Sequence, residues 1–184
     1  MVSEFITLDG VVEAPGGEPG HPHTGWVVDY AQPELETYKA EEMLQAEAML
    51  FGRKTYEQFA EAWPPRTGEI ADMINGIPKF VVSTTLSGPL AWNNSTLLTG
   101  DMESAVRELK QRTAGRIMVH GSGTLVQSLL SATLVDELRL MLFPVLVGGG
   151  TRPFPQAFAK SAFRLAKSEE VLPNVITLTY VLAS

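Results

Sequence analysis

RIMVHGSGTLVQSLL, residues 116–130, decides how the chain folds. Arg116 to Val119 reads as a strand, His120 to Gly123 as a turn, and Thr124 to Leu130 as an amphipathic helix. A strand handed to a helix through a glycine turn is the unit from which parallel sheets are built. The same grammar precedes it. Asp101 to Arg112 reads as a helix, with Asp101 as N-cap, Met102, Ala105, Val106 and Leu109 at helical spacing, and Lys110 and Arg112 at the end that favours cations. Leu134 to Val147 follows as one long strand, or two meeting near Pro144.

Working outward, Val2 to Leu8 reads as a strand ending at Asp9-Gly10, and Pro15 to His23 as a Gly/Pro-rich loop. Leu35 to Ala48 reads as a helix begun after Pro33, with Leu35, Tyr38, Met43 and Leu44 as its apolar stripe. Ala48 to Phe51 is a buried strand stopping at Gly52, and Thr55 to Ala62 a helix ended by Trp63-Pro64-Pro65. Lys79 to Ser83 and Ser95 to Leu98 are further strands. Phe163 to Glu170 pairs with Val175 to Leu182 across Leu172-Pro173-Asn174 as an antiparallel hairpin. Strands alternating with helices predict an α/β fold: a mostly parallel sheet covered on both faces, with an antiparallel edge. At ~150 residues per domain, 184 residues predict a single domain over 1–184.

Composition removes several functions. The chain has no cysteine, which excludes disulfide scaffolds, thiolate metal sites and cysteine nucleophiles. Its formal net charge of −7 argues against a nucleic-acid binder. The start lacks a basic region and reaches Asp9 too soon for a signal peptide, and no apolar run approaches the ~20 residues of a membrane span. A soluble cytoplasmic protein is expected, with no membrane partner. The charge is unevenly placed. Glu4, Asp9, Glu13, Glu18, Asp29, Glu34 and Glu36 all precede Lys39, the first basic residue. They are either a solvated acidic loop or a site entrance that disfavours anions.

Ligands of such sheets lie beyond the carboxyl ends of the strands. Gly121-Ser122-Gly123-Thr124, followed by Leu125, offers backbone N–H groups and a helix N-terminus to a pyrophosphate, though a tight strand-to-helix turn needs the same glycines. Gly52-Arg53-Lys54-Thr55 offers two cations and a hydroxyl at a second strand end, which suits the extra phosphate of NADP or simply starts a helix. Ser83-Thr84 adds hydroxyls at a third, or caps a turn. Gly148-Gly149-Gly150 is a bulge or loop, or brings backbone close to a ligand. His21-Pro22-His23 has no partner at metal-ligand spacing, so no metal is expected. His120-Gly121-Ser122-Gly123 lacks the outer glycines of a nucleophile elbow. Trp26, Tyr56, Phe59 and Trp63 are core residues or stacking platforms.

Taken in order, these segments resemble the dihydrofolate-reductase-like superfamily, in the branch of the C-terminal reductase domain of bacterial riboflavin biosynthesis. The resemblance runs through Thr7-Leu8-Asp9-Gly10-Val11-Val12-Glu13-Ala14-Pro15, Leu50-Phe51-Gly52-Arg53-Lys54-Thr55-Tyr56-Glu57 and Pro78-Lys79-Phe80-Val81-Val82-Ser83. It continues through Val119-His120-Gly121-Ser122-Gly123, Val135-Asp136-Glu137-Leu138-Arg139-Leu140 and Phe143-Pro144-Val145-Leu146-Val147-Gly148-Gly149-Gly150.

The resemblance implies a mixed sheet of about eight strands and an NADPH-dependent reductase, often a homodimer, that transfers hydride to a C=N or C=O bond of a small heterocyclic or carbonyl substrate. It implies cofactor contacts at Gly52, Arg53, Lys54, Thr55, Ser83, Thr84 and Gly121 to Leu125. Substrate contacts fall at Leu8, Asp9 and Gly10, with Trp26 and Tyr56 beside them. Dihydrofolate reductases hold the pterin with a carboxylate on the first helix, for which Glu34 and Glu36 are candidates. The riboflavin-pathway enzyme, which reduces 5-amino-6-(5-phosphoribosylamino)uracil, holds a phosphoribosyl group with basic residues, for which Lys39, Arg66 and Arg152 are candidates. The early acids favour a neutral or cationic substrate. No catalytic proton donor is assigned from sequence, and a nucleotide-binding module of the same fold without turnover is the alternative.

Overall fold

β1 (Val2–Thr7) is buried along most of its length, so it must be a central strand with both faces covered. It lies inside an eight-stranded sheet with the order β4-β3-β2-β5-β1-β6-β8-β7. The other strands are β2 (Ala46–Gly52), β3 (Lys79–Val82), β4 (Ser95–Leu98), β5 (Arg116–His120), β6 (Glu137–Phe143), β7 (Phe163–Leu172) and β8 (Val175–Leu182). β4 to β6 run parallel, and β8 is antiparallel to both β6 and β7. The computed structural model describes residues 1–154 and 160–183.

Helices cover both faces. On one, Val106 and Leu109 of α4 (Met102–Arg112) and Leu125 to Leu130 of α5 (Gly123–Ser131) pack on Val2, Leu50, Val119 and Leu138. On the other, α1 (Pro33–Met43), α2 (Arg53–Ala62) and α3 (Glu69–Gly76) bury Leu35, Met43, Tyr56 and Ile74 against Phe51, Met118 and Phe143. The strands read as apolar because neither face of the inner sheet meets water.

Most segments form where the pattern places them, and the differences have local causes. α1 stops at Met43 rather than reaching Ala48, because Ala46 already pairs with Arg116 and draws the chain into β2. Leu44, expected in the apolar stripe, is 69% exposed at the helix end. The strand expected over Leu134 to Val147 is only β6: the Leu134 N–H donates to Leu129 O at the end of α5, and Val145 turns back to Phe143. α3 carries no strong sequence signal. Its C-terminal carbonyls are held from outside, by the buried Lys79 ammonium donating to Asn75 O and Ile77 O at 2.8 Å each. A short 3₁₀ turn over Val28–Tyr30 was equally unmarked.

Glu4 is the exception in β1. It lies on the α5 face of the strand, fully buried, with Oε1 lacking a hydrogen-bond partner among the described residues. Burial raises its carboxyl well above the ordinary range, against the pull of Lys39 and a hydrogen bond from the Gly121 amide. A carboxyl raised in the folded state costs stability as pH rises through its unfolded value, because the unfolded chain then releases a proton that the folded one retains. Glu4→Gln is therefore expected to raise the melting temperature at neutral pH, with the gain vanishing in acid where both states hold the proton. At the other end of the scale, Asp101 accepts from Ser104 N–H at 2.8 Å as the α4 N-cap. Asp101→Ala should lower the denaturant midpoint of unfolding, leaving the Ser104 N–H without its cap.

Candidate functional site

β1 and β5 are neighbours whose onward connections depart in opposite directions. The chain leaves β1 through α1 on one face to reach β2, and leaves β5 through α5 on the other face to reach β6. A crevice opens at the carboxyl ends of such a pair. Here the register deepens it. β5 pairs with β1 only at Val2↔Val119 and Ser3↔His120, whereas β1 continues beside β6 as far as Thr7↔Phe143. The flank of β1 from Glu4 to Thr7 thus faces a notch whose floor is the end of β5. Met49 pairs with Met118, and continuing that register brings Gly52 level with Gly121 on the far side.

The glycine turn closes one side of the notch. Gly121 and Ser122 both take positive φ, +57° and +58°, before α5 begins. Ser122 N–H donates to Thr55 Oγ1 (2.9 Å), and Ser122 Oγ accepts from Gly52 N–H (3.0 Å). These two bonds lash the start of α5 to the start of α2. A Cβ on Gly123 would fall 2.7 Å from Thr151 Cγ2 and 3.2 Å from Val12 Cγ2, so the position has no room for a side chain. Backbone N–H groups at the start of a helix, on a residue with no side chain of its own, suit an anionic group.

The mouth is built from the loop after β1 and the 147–152 segment. Asp9 accepts from Gly148 N–H (2.8 Å) and from the Thr7 hydroxyl (2.6 Å). Glu13 accepts from both the amide and the hydroxyl of Thr151 (2.7 and 2.8 Å). The Thr7 hydroxyl lowers the Asp9 carboxyl, and the Thr151 hydroxyl and amide lower that of Glu13, with His21 and Lys54 adding to it. Arg152 donates to Asp9 O (3.1 Å), and His21 Nε2 lies 2.8 Å from Gly149 O. The early acids divide: Asp29, Glu34 and Glu36 are exposed, as a solvated surface would be, whereas Glu4 is buried and Asp9 and Glu13 are spent on loop amides.

On the α1 face, at the end of β5, sits a buried polar group. The Glu42 side chain is 1% exposed, and its carboxylate takes the Lys39 ammonium, the Ser3 hydroxyl (2.8 Å) and Arg139 Nη1 (3.5 Å), with His120 Nε2 at 3.9 Å. Lys39 Nζ also donates to Ser3 Oγ (3.0 Å), and His120 Nδ1 lies 3.1 Å from Ser3 O. Burial pushes the Glu42 carboxyl up, but Lys39 and His120 beside it bring it down to about 2. Burial, helped by Lys39, lowers His120 to about 4, so its ring is neutral at neutral pH. A histidine depressed in the folded state gives stability that is present above its ordinary value of about 6.5 and lost as pH falls toward the folded one. Melting temperature should drop as pH falls from about 6.5 toward 4, and His120→Gln should flatten that limb.

Of the sequence candidates, the structure brings Gly52, Thr55 and Gly121 to Thr124 together at the notch, with Leu8, Asp9 and Gly10 on its rim. Leu8 is 56% exposed and Gly10 takes φ +80°. Arg53 pairs with Glu57 (2.8 Å) on the surface, and Lys54 is exposed toward Glu13. Ser83 caps its own turn, accepting from Thr85 and Leu86 amides, while Thr84 is exposed. Leu125 buries its side chain in the core, leaving only its amide. Tyr56 and Trp26 are buried too: Tyr56 Oη accepts from Trp92 N–H (3.0 Å), and Trp26 donates to Glu13 O (2.9 Å) while packing edge-on against Phe143. Arg66 stacks over Trp63. Glu34 lines a shallow groove between α1 and β7, away from the notch. No cluster of three or more metal-type ligands occurs among the described residues. Sequence reasoning missed Ser3, Glu42 and the His120 side chain. The available signal was Ser3-Glu4, two adjacent polar residues in a strand buried along most of its length.

A family model, the RibD C-terminal domain, matches residues 1–177. Among curated proteins, the uncharacterized protein YyaP of Bacillus subtilis is 23% identical over 180 residues, covering 95% of this chain and 90% of that protein. A Shewanella protein named for riboflavin biosynthesis superposes with a TM-score of 0.79 at 23% identity, over 100% of this chain and 98% of that one. Enterococcus faecalis dihydrofolate reductase, solved with NADP(H), superposes with a TM-score of 0.64 at 14% identity, over 100% and 95%. The eight-stranded sheet with its closing hairpin thus has the dihydrofolate-reductase-like fold. With nearly all of its length matched, the chain belongs to the RibD C-terminal domain family.

Proposed function

We propose that this protein is an NADPH-dependent reductase that transfers hydride to a C=N or C=O bond of a small heterocyclic or carbonyl substrate. The observation that carries the reading is the lashed turn: Gly121 to Thr124, joined to Gly52 and Thr55 through Ser122, sets the first amides of α5 beside an open strand flank. The pyrophosphate lies on Gly121, Ser122, Gly123, Thr124 and the Leu125 amide. Arg53 and Lys54, both at the surface beside the notch, take the 2′-phosphate with Ser83 and Thr84, Arg53 exchanging its Glu57 partner for a dianion. Leu8, Asp9 and Gly10 border the nicotinamide and substrate. Trp26 and Tyr56 support that wall from within the core rather than touching the ligand.

The residues that are present fit the cofactor. Bound there, it supplies the hydride, and the protein supplies position and electrostatics. Because Asp9 and Glu13 are engaged with loop amides, they select the substrate less by charge than by fixing the mouth. A small-molecule substrate, a homodimer and a cytoplasmic location complete the proposal. No helix among the described residues is long and apolar enough to cross a membrane.

Fluorescence titration tests this, since the chain carries three tryptophans. NADPH is expected to saturate the protein, with NADH binding more weakly. Arg53→Ala should weaken NADPH about tenfold or more while leaving NADH little changed. Absence of saturable binding for both nucleotides would refute the cofactor site. Saturable NADPH binding with no consumption alongside any acceptor would instead mark a nucleotide-binding module of this fold.

A further inference from the structure

Within the buried polar group, Lys39 is placed unlike a structural cation. Its Nζ lies between Ser3 Oγ (3.0 Å) and the ring of Phe5 (5.2 Å to the centroid), so it spans the last β1 residue paired with β5 and the unpaired flank beyond it. The side chain is 19% exposed, whereas that of its partner Glu42 is 1% exposed. Glu42 does not depend on Lys39 alone, because Arg139 and the Ser3 hydroxyl also reach its carboxylate. Arg139 is itself fixed by Glu137 (2.6 Å) and Gln45 (2.8 Å), so α1 stays tied to the sheet whatever Lys39 does. Lys39 is therefore held by a permanent anion, borders the notch, and can lose its proton without stranding its partner.

We propose that Lys39 is the general acid of this site. This rests on the reductase reading above. Hydride and both its electrons pass from the dihydronicotinamide to the carbon of a C=N or C=O bond. That bond's π pair moves to the nitrogen or oxygen, which takes a proton from Lys39 Nζ. The neutral amine left behind is reprotonated by water. Groups facing Lys39 are Glu42 from α1, Glu4 from β1, His120 from β5 and Arg139 from β6. Burial lowers the Lys39 ammonium and Arg139 adds to that, while the Glu42 carboxylate opposes it and Glu4 does so only where it is ionised; the outcome lies below an ordinary lysine, which makes a better acid. His120, neutral, adds no charge.

The test uses the full chain with NADPH and two acceptors: 7,8-dihydropterin for C=N and 4-nitrobenzaldehyde for C=O. NADPH affinity is measured separately by tryptophan fluorescence. Wild type should oxidise NADPH with at least one acceptor, at a rate that falls as pH rises through the Lys39 value. Lys39→Met should lower that rate tenfold or more, about a hundredfold being usual for a lost general acid, with NADPH affinity within about twofold. Lys39→Gln keeps a donor to Ser3 and Glu42 and guards against a folding defect; it should be as slow. Lys39→Arg keeps the charge but cannot give up its proton, so it should be slow with no alkaline fall. A loss under tenfold in a folded variant, or an alkaline fall that survives Lys39→Arg, overturns the assignment. So does NADPH binding with neither acceptor reduced. Failure of wild type to bind NADPH refutes the cofactor reading instead, and the two failures are separated by the binding measurement.

Discussion

The pairing between β1 and β5 breaks off at Ser3 and His120, and the site depends on where that happens. Had β5 run on beside Phe5 and Thr7, the sheet would be continuous and the notch filled. Instead Gly121 and Ser122 take left-handed conformations, ending the ladder and turning the chain into α5. A strand stopped early leaves peptide groups on its neighbour without ladder partners, and central strands tolerate that only where side chains or a ligand meet the gap. The Glu4 carboxyl, the Gly121 amide and the Ser3 hydroxyl all lie at this break.

Two unlike environments meet there. The α5 face offers the first amides of a helix, beside the buried Glu4, whose carboxyl is raised because burial outweighs the attraction of Lys39. The α1 face offers a charged group in which one carboxylate serves a lysine, an arginine and a serine. A carboxylate in this setting would be costly alone, and it is tolerable because every partner is also hydrogen-bonded elsewhere. The sheet thus separates a surface suited to phosphate from one able to move a proton, while a single strand flank joins them.

Much of this was legible in the sequence. The strand-turn-helix order, the Asp101 cap and the hairpin across Pro173-Asn174 are local signals, and local chemistry produces them. The Gly52 and Gly121 turns were legible for the same reason. Three things were not. α1 ends where β2 finds Arg116, seventy residues away, so no window around Leu44 could reveal it. α3 is held by a lysine beyond its own end. Glu42 looks like any polar helix residue, because its burial is set by Ser3 and Arg139, on strands that meet only after folding.

The clamp at the mouth has a consequence for how the protein comes into being. Asp9 holds Gly148 and Glu13 holds Thr151, each across more than 130 positions of sequence. Contacts between such distant segments are the slowest to form, since the intervening chain must be closed first. As the chain is made from its N-terminus, the acids emerge at once but their partners come only after six of the eight strands have been synthesised. Until then Asp9 and Glu13 have nothing to hold and the loop after β1 has no fixed path. The mouth is thus completed late in synthesis, and a chain arrested before Gly148 carries the glycine turn but no finished entrance to it.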